Sequence, residues 1–253
     1  MSHLIRALEE RSLNAWPGPR QLLLDGWLLR LAGGYTRRAN SVCPIYPGGD
    51  DPEAKIDRCE AIFRAHQLRC VFKVTPLCDP ADIDDRLDAR GYALEATTGV
   101  MALRLPDMSG QLDADLIVEN QLTPEWLDGT VRLGEVAQSD ADWYRRIIES
   151  IVSPRQFFRL LVSGEPVASG FVVIDDGYAG LFDIVTRADA RGQGYGRRLL
   201  NGMLTSSRQA GAEQTYLQVV LTNDPAIGLY RSLGFEQVYE YWYRVKEATA
   251  AGG

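Results

Sequence analysis

Histidine is almost missing from this chain: His3 and His66 are the two among 253 residues. Two imidazoles, one of them near a chain end, leave no material for a His-rich metal site or a histidine-centred triad, and His66 reads as a helix-end surface residue. Cysteine is scarce as well, with Cys43, Cys59, Cys70 and Cys78 confined to the first third and never in a Cys-x-x-Cys pair. Neither a zinc clip nor a redox motif is supported, which leaves buried or half-buried reduced thiols in a reducing compartment. Long apolar runs are lacking too. Stretches such as Leu22-Leu23-Leu24 and Phe171-Val172-Val173-Ile174 fall far below the roughly 18–20 residues that a bilayer span needs, so no membrane segment is expected. Near the start, Arg6, Glu9, Glu10 and Arg11 interrupt Leu4, Ile5, Leu8 and Leu13. This is the pattern of an amphipathic helix and not of a secretion signal, so the protein is assigned to the cytoplasm. Positive charge is also in deficit, since 27 Lys+Arg against 34 Asp+Glu leave a net −7. Without a global positive field, nucleic acid is not expected as a principal partner.

What the chain has is a globular mixture, 45% hydrophobic and 24% charged, and a length that, at roughly 100–200 residues per domain, suggests two units. The pattern is α/β with a mixed sheet. In the first half an opening helix leads to a rigid Trp16-Pro17-Gly18-Pro19 turn, a strand over 21–32, a Gly33-Gly34 hairpin signal and a return strand over 35–45. A helix carrying Ile56, Cys59, Ile62 and Phe63 follows, then a strand over 69–75, a helix over 82–90 closed by Gly91, and a strand over 93–105. Residues 106–113 read as a linker. The second half opens with a strand over 116–119 and helices over 124–133 and 140–151, then an antiparallel meander over 156–163, 167–175 and 178–185. Helix, strand, helix, strand follow over 197–210, 215–220, 226–233 and 237–245, and the tail 248–253 lacks any core-facing pattern and is expected to fray.

The halves share landmarks. Val71-Phe72-Lys73-Val74, Asp79-Pro80-Ala81 and Gly91-Tyr92 parallel Leu217-Gln218-Val219-Val220, Asp224-Pro225-Ala226 and Gly234-Phe235, as a duplicated unit would.

The most informative segment is Arg191-Gly192-Gln193-Gly194-Tyr195-Gly196-Arg197-Arg198, between a strand and an amphipathic helix. Glycines let backbone approach a ligand, successive N–H groups converge, and the helix start adds partial positive charge, so a diphosphate is the natural occupant. A Walker loop would need Gly-Lys-Ser/Thr, but Gly196 is followed by Arg197. A dinucleotide fingerprint fails too, because the residue three past Gly194 is Arg197 and the preceding strands form a meander.

This segment resembles the pyrophosphate signature Arg/Gln-x-x-Gly-x-Gly/Ala of the GCN5-related N-acetyltransferases, filled here by Arg191, Gly194 and Gly196. Residues 223–235 resemble the same family's Asn-x-x-Ala-x-x-Leu-Tyr-x-x-x-Gly-Phe segment, and the likeness spans about 115–245. It implies acetyl-coenzyme A as cosubstrate, no metal, and a primary amine as acceptor. The amides of Arg191, Gly192, Gln193, Gly194, Tyr195, Gly196 and Arg197 would hold the diphosphate. Ile184, Val185 and Thr186 would pair strand-like with the pantetheine arm, and Asn223 and Ala226 would also face the cofactor. Tyr230 would protonate the leaving thiolate. For Asn223 a helix cap is an equally local role, and Arg198 reads as a surface residue.

An attacking amine must be neutral, and Asp183, a carboxylate set in Leu181-Phe182-Asp183-Ile184-Val185, is the candidate base; pairing with an unseen arginine is the alternative. The first-half equivalent of the glycine loop, Tyr46-Pro47-Gly48-Gly49-Asp50-Asp51-Pro52, offers carboxylates and prolines in place of amide donors. The expected arrangement is therefore a degenerate half over 1–105, a linker over 106–113, an acetyltransferase domain over 114–247 and a tail over 248–253. The stretch from Leu31 to Ser41 resembles a segment of one bipartite group, and its Arg37 and Arg38 either reach an acidic acceptor or are simply solvated. A non-catalytic acyl-coenzyme A sensor is the competing function.

Overall fold

The apolar positions of the opening segment fall on one face, and the computed structural model, which describes residues 2–106, 110–134 and 136–247, turns that face inward. Helix α1 (Ser2–Ala15) buries Ile5, Leu8 and Leu13. The single strand expected over 21–32 is instead a hairpin of β1 (Arg20–Leu24) and β2 (Trp27–Leu31). Asp25 and Gly26, at φ 39° and 82°, form its two-residue turn, the left-handed pair that suits the twist of adjoining strands. The return strand expected over 35–45 shrinks to β3 (Val42–Pro44), preceded by a single 3-10 turn at Arg37–Ala39. There the backbone is claimed by Asn40: its Oδ1 accepts from the N–H groups of Ala32 and Gly34, and its Nδ2 donates to the carbonyls of Tyr35 and Thr36. With those groups bonded to a side chain, no ladder forms.

The remaining elements follow the expected order: α2 (Pro52–Ala65), β4 (Cys70–Val74), α3 (Ile83–Ala89), β5 (Ala93–Arg104), β6 (Leu116–Glu119), α4 (Pro124–Arg132), α5 (Ala141–Glu149), β7 (Arg155–Val162), β8 (Glu165–Asp175), β9 (Tyr178–Thr186), α6 (Tyr195–Gln209), β10 (Gln214–Val220), α7 (Asp224–Ser232) and β11 (Glu236–Lys246). The expected tail at 248–253 and the linker centre at 107–109 lie outside the described residues.

Among the described residues eleven strands join one mixed sheet in the order β1-β2-β3-β4-β11-β5-β10-β9-β8-β7-β6. Reading outward from the β11/β5 pair, β4, β3, β2, β1 mirror β10, β9, β8, β7, and β3/β4 and β9/β10 are the parallel pairs. The last strand of each half has changed sides. β5 pairs with β10, β11 pairs with β4, and the two lie antiparallel to each other along most of their length.

Alternation along the strands sends side chains to opposite faces. Phe157, Phe171 and Tyr216 pack with Trp16, Trp126 and Tyr144 beneath α1, α4 and α5, whereas their neighbours Phe158, Val172 and Leu217 pack beneath α6 and α7. Helices α2 and α3 cover a further core around Phe63, Phe72 and Leu87. The halves are also tied by a buried polar chain. Lys73 Nζ lies 2.5 Å from Glu9 Oε1, Tyr239 donates to Glu9 Oε2 at 2.7 Å, and Tyr241, whose ring faces Lys73 at 4.1 Å, donates to Gln218 at 2.7 Å.

Three of the four thiols, Cys43, Cys59 and Cys70, are buried. Burial pushes the Cys70 and Cys78 thiols up to about 12, away from the thiolate form. His66 caps the end of α2 on the surface. Among the described residues no helix is long and apolar enough to cross a membrane.

Candidate active site

The chemistry-bearing loop joins β9 to α6. Arg191 is extended, Gly192 and Gly194 sit at φ 75° and 83°, and α6 starts directly on Gly194. A Cβ at Gly192 or Gly194 would meet nothing within 4 Å, so these glycines serve the backbone turn and leave open space before the helix. Side-chain oxygens of Asp51, Thr123 and Asn223 cap α2, α4 and α7. Helix α6, fifteen residues long, has no side-chain cap and no acidic residue in its first turn. Its first amides and its dipole thus face a space that suits an anion. Arg191 donates Nε to the Thr186 carbonyl at 3.2 Å and makes no ion pair among the described residues. Gln193 bonds the Asp189 carbonyl and Arg197 bonds Ser232. Tyr195 is half-buried under the Arg198 guanidinium, and a Cβ on Gly196 would press on Thr186 Oγ1 at 3.3 Å.

Arg198 is more than the surface residue expected. It forks onto Asp113 at 2.7 and 2.9 Å and reaches Asp115 at 2.7 Å, pinning the end of the linker to α6.

Next to this loop the sheet forks. β9 and β10 pair from Tyr178/Gln214 to Leu181/Leu217 and then part, although β9 runs on to Thr186 and β10 to Val220. The β10-facing edge at Ile184, Val185 and Thr186 has therefore lost its strand partner, the condition for an extended ligand to add to a sheet. On its other side β9 stays bonded to β8, with a bulge where the register steps from Ser169↔Val185 to Phe171↔Phe182. Asp183 occupies that bulge at φ 47°.

The bulge puts Asp183 on the same side as Phe182, towards Trp16 and Tyr144. Burial raises its pKa, while Arg38 and the Tyr144 phenol pull the other way. Arg38 Nη2 lies 3.5 Å from Asp183 Oδ1, its guanidinium sits 4.4 Å from the Trp16 ring, and Asp183 Oδ2 is buried with no hydrogen bond among the described residues. The partner comes from the other half of the chain. Arg38 also lines a cavity of about 310 Å³ at the fork, together with Arg37, Thr98, Gln218, Tyr241 and Tyr243. Asp183 reaches this cavity through Arg38 and not as part of its lining. Sequence reasoning did not find Gln218, Tyr241 or Tyr243; the signal available was their inward alternation on β10 and β11.

On α7, Asn223 Oδ1 accepts from the Ala226 N–H at 3.3 Å, the local capping role. Tyr230 is 7% exposed and packs edge-on against Phe235 at 6.0 Å.

The first-half counterpart of the glycine loop corrects one expectation. Its amide donors are present, but Asp25 takes them: its carboxylate accepts from Gly49 N–H at 3.1 Å and Asp50 N–H at 2.9 Å, with Lys55 Nζ at 3.2 Å.

Residues 2–244 match the family described as probable histone acetyltransferase Rv0428c C-terminal. The uncharacterized N-acetyltransferase YobR of Bacillus subtilis is 30% identical over 247 residues, 96% of this chain and 98% of that protein. Among solved structures, a GCN5-related N-acetyltransferase from Kribbella flavida aligns with TM-score 0.67 at 17% identity, covering 98% of this chain and 95% of that one. A tandem GNAT protein from the clavulanic acid biosynthesis pathway aligns at 0.64 and 17%, covering 84% and 76%.

Proposed function

The chain belongs to the GCN5-related N-acetyltransferases, in the family described as probable histone acetyltransferase Rv0428c C-terminal, and from that premise we propose that its second half moves an acetyl group from acetyl-coenzyme A to a primary amine by direct attack in a ternary complex. The observation that carries the proposal is the bare start of α6 beside the β9/β10 fork: uncapped amides where a diphosphate belongs, and an unpaired strand edge for the arm that follows. Gly192 and Gly194 leave room that side chains would fill, so the residues fit the cosubstrate.

Bound acetyl-coenzyme A supplies an activated acyl group. The protein's own part is to hold and to move protons. Arg191 and the amides of residues 192–197 neutralise the diphosphate, and backbone N–H groups near Thr186 polarise the acyl carbonyl. Asp183, its pKa raised by burial, accepts the proton that a free alkylamine carries at neutral pH. Tyr230 donates a proton to the departing sulfur. Asn223 and Ala226 complete the cofactor wall at the start of α7. Free thiols, three of the four buried, suit a cytoplasmic enzyme.

A second reading, a non-catalytic acyl-coenzyme A sensor, draws on the commitment of Asp183 to Arg38. Calorimetry with acetyl-coenzyme A tests the site: one molecule per chain is the expected stoichiometry, and Gly194→Glu, which puts a carboxylate where the diphosphate lies, should weaken binding at least a hundredfold. Equal affinity in both proteins removes the loop assignment. Thiol release across an amine panel then separates enzyme from sensor, since tight binding without any amine-stimulated release leaves the sensor.

A further inference from the structure

The cavity at the fork is lined by charged groups of one sign. Arg37 and Arg38 stand in it, and a neighbouring cavity of about 250 Å³ shares Thr36 and Arg37 and adds Arg69; among the described residues neither holds an aspartate or glutamate in its wall. The carboxylates that meet these arginines, Asp183, Glu95 and Glu247, stand behind the walls and leave the guanidinium groups to face the space.

The loop that presents these arginines is built for rigidity. Asn40, 4% exposed, makes four hydrogen bonds to its backbone at 2.7–2.9 Å. Arg30, buried at 2%, donates to the carbonyls of Trp16 and Arg38 from beneath. Thr36 is held at φ 56°, a left-handed conformation costly for a β-branched residue. A solvated hairpin would need none of this. The two arginines are not equivalent: Arg38 is spent on Asp183 and Trp16, whereas Arg37 is half-exposed, meets Glu95 at 3.3 Å with one nitrogen and lies 5.8 Å from the Tyr243 ring. Glu95 is shared with Arg69 at 3.5 Å, and Arg69 also meets Glu247 at 3.4 Å, so the carboxylate that faces Arg37 is divided between two guanidinium groups while Arg69 has a second partner.

We propose that Arg37 is the acceptor-recognition residue and that the acceptor is a small amine bearing an anionic group, a carboxylate or phosphate, which the Arg37 fork binds while the amine points to the β9/β10 fork. The assignment of this ligand as acceptor rests on the transferase reading; the anion site itself does not. A guanidinium offers paired donors that match either anion, and a cavity of this size suits a metabolite rather than a folded partner.

Calorimetric titration of the intact protein with succinate, and separately with inorganic phosphate, tests the site without turnover. Arg37→Met should weaken the better-bound anion more than tenfold, whereas Glu95→Gln, which removes the competing carboxylate, should tighten it severalfold; the anion preferred identifies the group. Unchanged binding in both variants, or no binding of either anion, overturns the proposal. With turnover as readout, amino acids should exceed their carboxamides at least tenfold in kcat/KM, chiefly through KM, and Arg37→Met should level each pair. A lysine-rich basic peptide outrunning every anionic amine also overturns it. If no amine is acetylated while the anion titrations behave as stated, the transferase reading fails and the anion site stands.

Discussion

Asp183 shows how much of a site one residue can disclose. A carboxylate in an otherwise apolar strand is conspicuous from sequence, and its pKa is indeed raised by burial. Its partner was not legible, because Arg38 lies 145 residues upstream and only the shared sheet brings the two together. The electrostatics set a pH dependence. The proton-accepting form of a group with a raised pKa is lost as pH falls through that raised value, so the acid limb of kcat/KM should lie above the ordinary carboxylate value of 3.8. Asp183→Asn should abolish that limb and lower kcat by about 10²–10⁴-fold, the usual range for a general base. A pH–rate profile unchanged in Asp183→Asn, at whatever absolute rate, would reduce Asp183 to a holder of Arg38.

At the level of elements, two equivalent strand-to-helix junctions behave differently. At α6 glycines turn the chain and the helix start is left bare, while at α2 the start carries its own anion, the Asp25 carboxylate seated on Gly49 and Asp50. The contrast explains, by occupation rather than by missing donors, why the first half should bind no diphosphate. The glycine loop was legible because its signal is local. The hairpin that delivers Asp25 was not, since Leu22-Leu23-Leu24 and the apolar residues after Gly26 read as one continuous strand, and the Asp-Gly turn inside it is the cue that such a run hides. The backbone amides and Lys55 hold the Asp25 pKa below its ordinary value. A depressed folded pKa stabilises above the unfolded value and ceases to as pH falls. Asp25→Ala should therefore lower Tm at pH 7, and the gap to the parent should close as pH drops below 3.8. A gap independent of pH would mean that Asp25 acts through the shape of its turn and not through its charge.

The whole molecule is a pseudo-symmetric sheet whose halves have traded their last strands. The repeated Asp-Pro-Ala and Gly-aromatic landmarks made the duplication legible, because α3 and α7, with β5 and β11 after them, occupy equivalent places. The exchange was not legible, since either pairing would bury the same alternating pattern and only long-range geometry chooses between them. It has a consequence for any attempt to divide the protein. A fragment of residues 114–247 keeps β10 and β11 but loses β5, which stands between them, and β4 on the far side of β11, and so exposes three unpaired edges. It also loses Arg38 beside Asp183 and Lys73 beneath Tyr241. Expressed alone, it should be poorly soluble or aggregate and should show little acetyl transfer, whereas co-expression with residues 1–113 should recover a soluble, active pair. A monomeric, fully active fragment 114–247 would show that its own strands close the gap and that the first half supplies neither edge protection nor acceptor recognition.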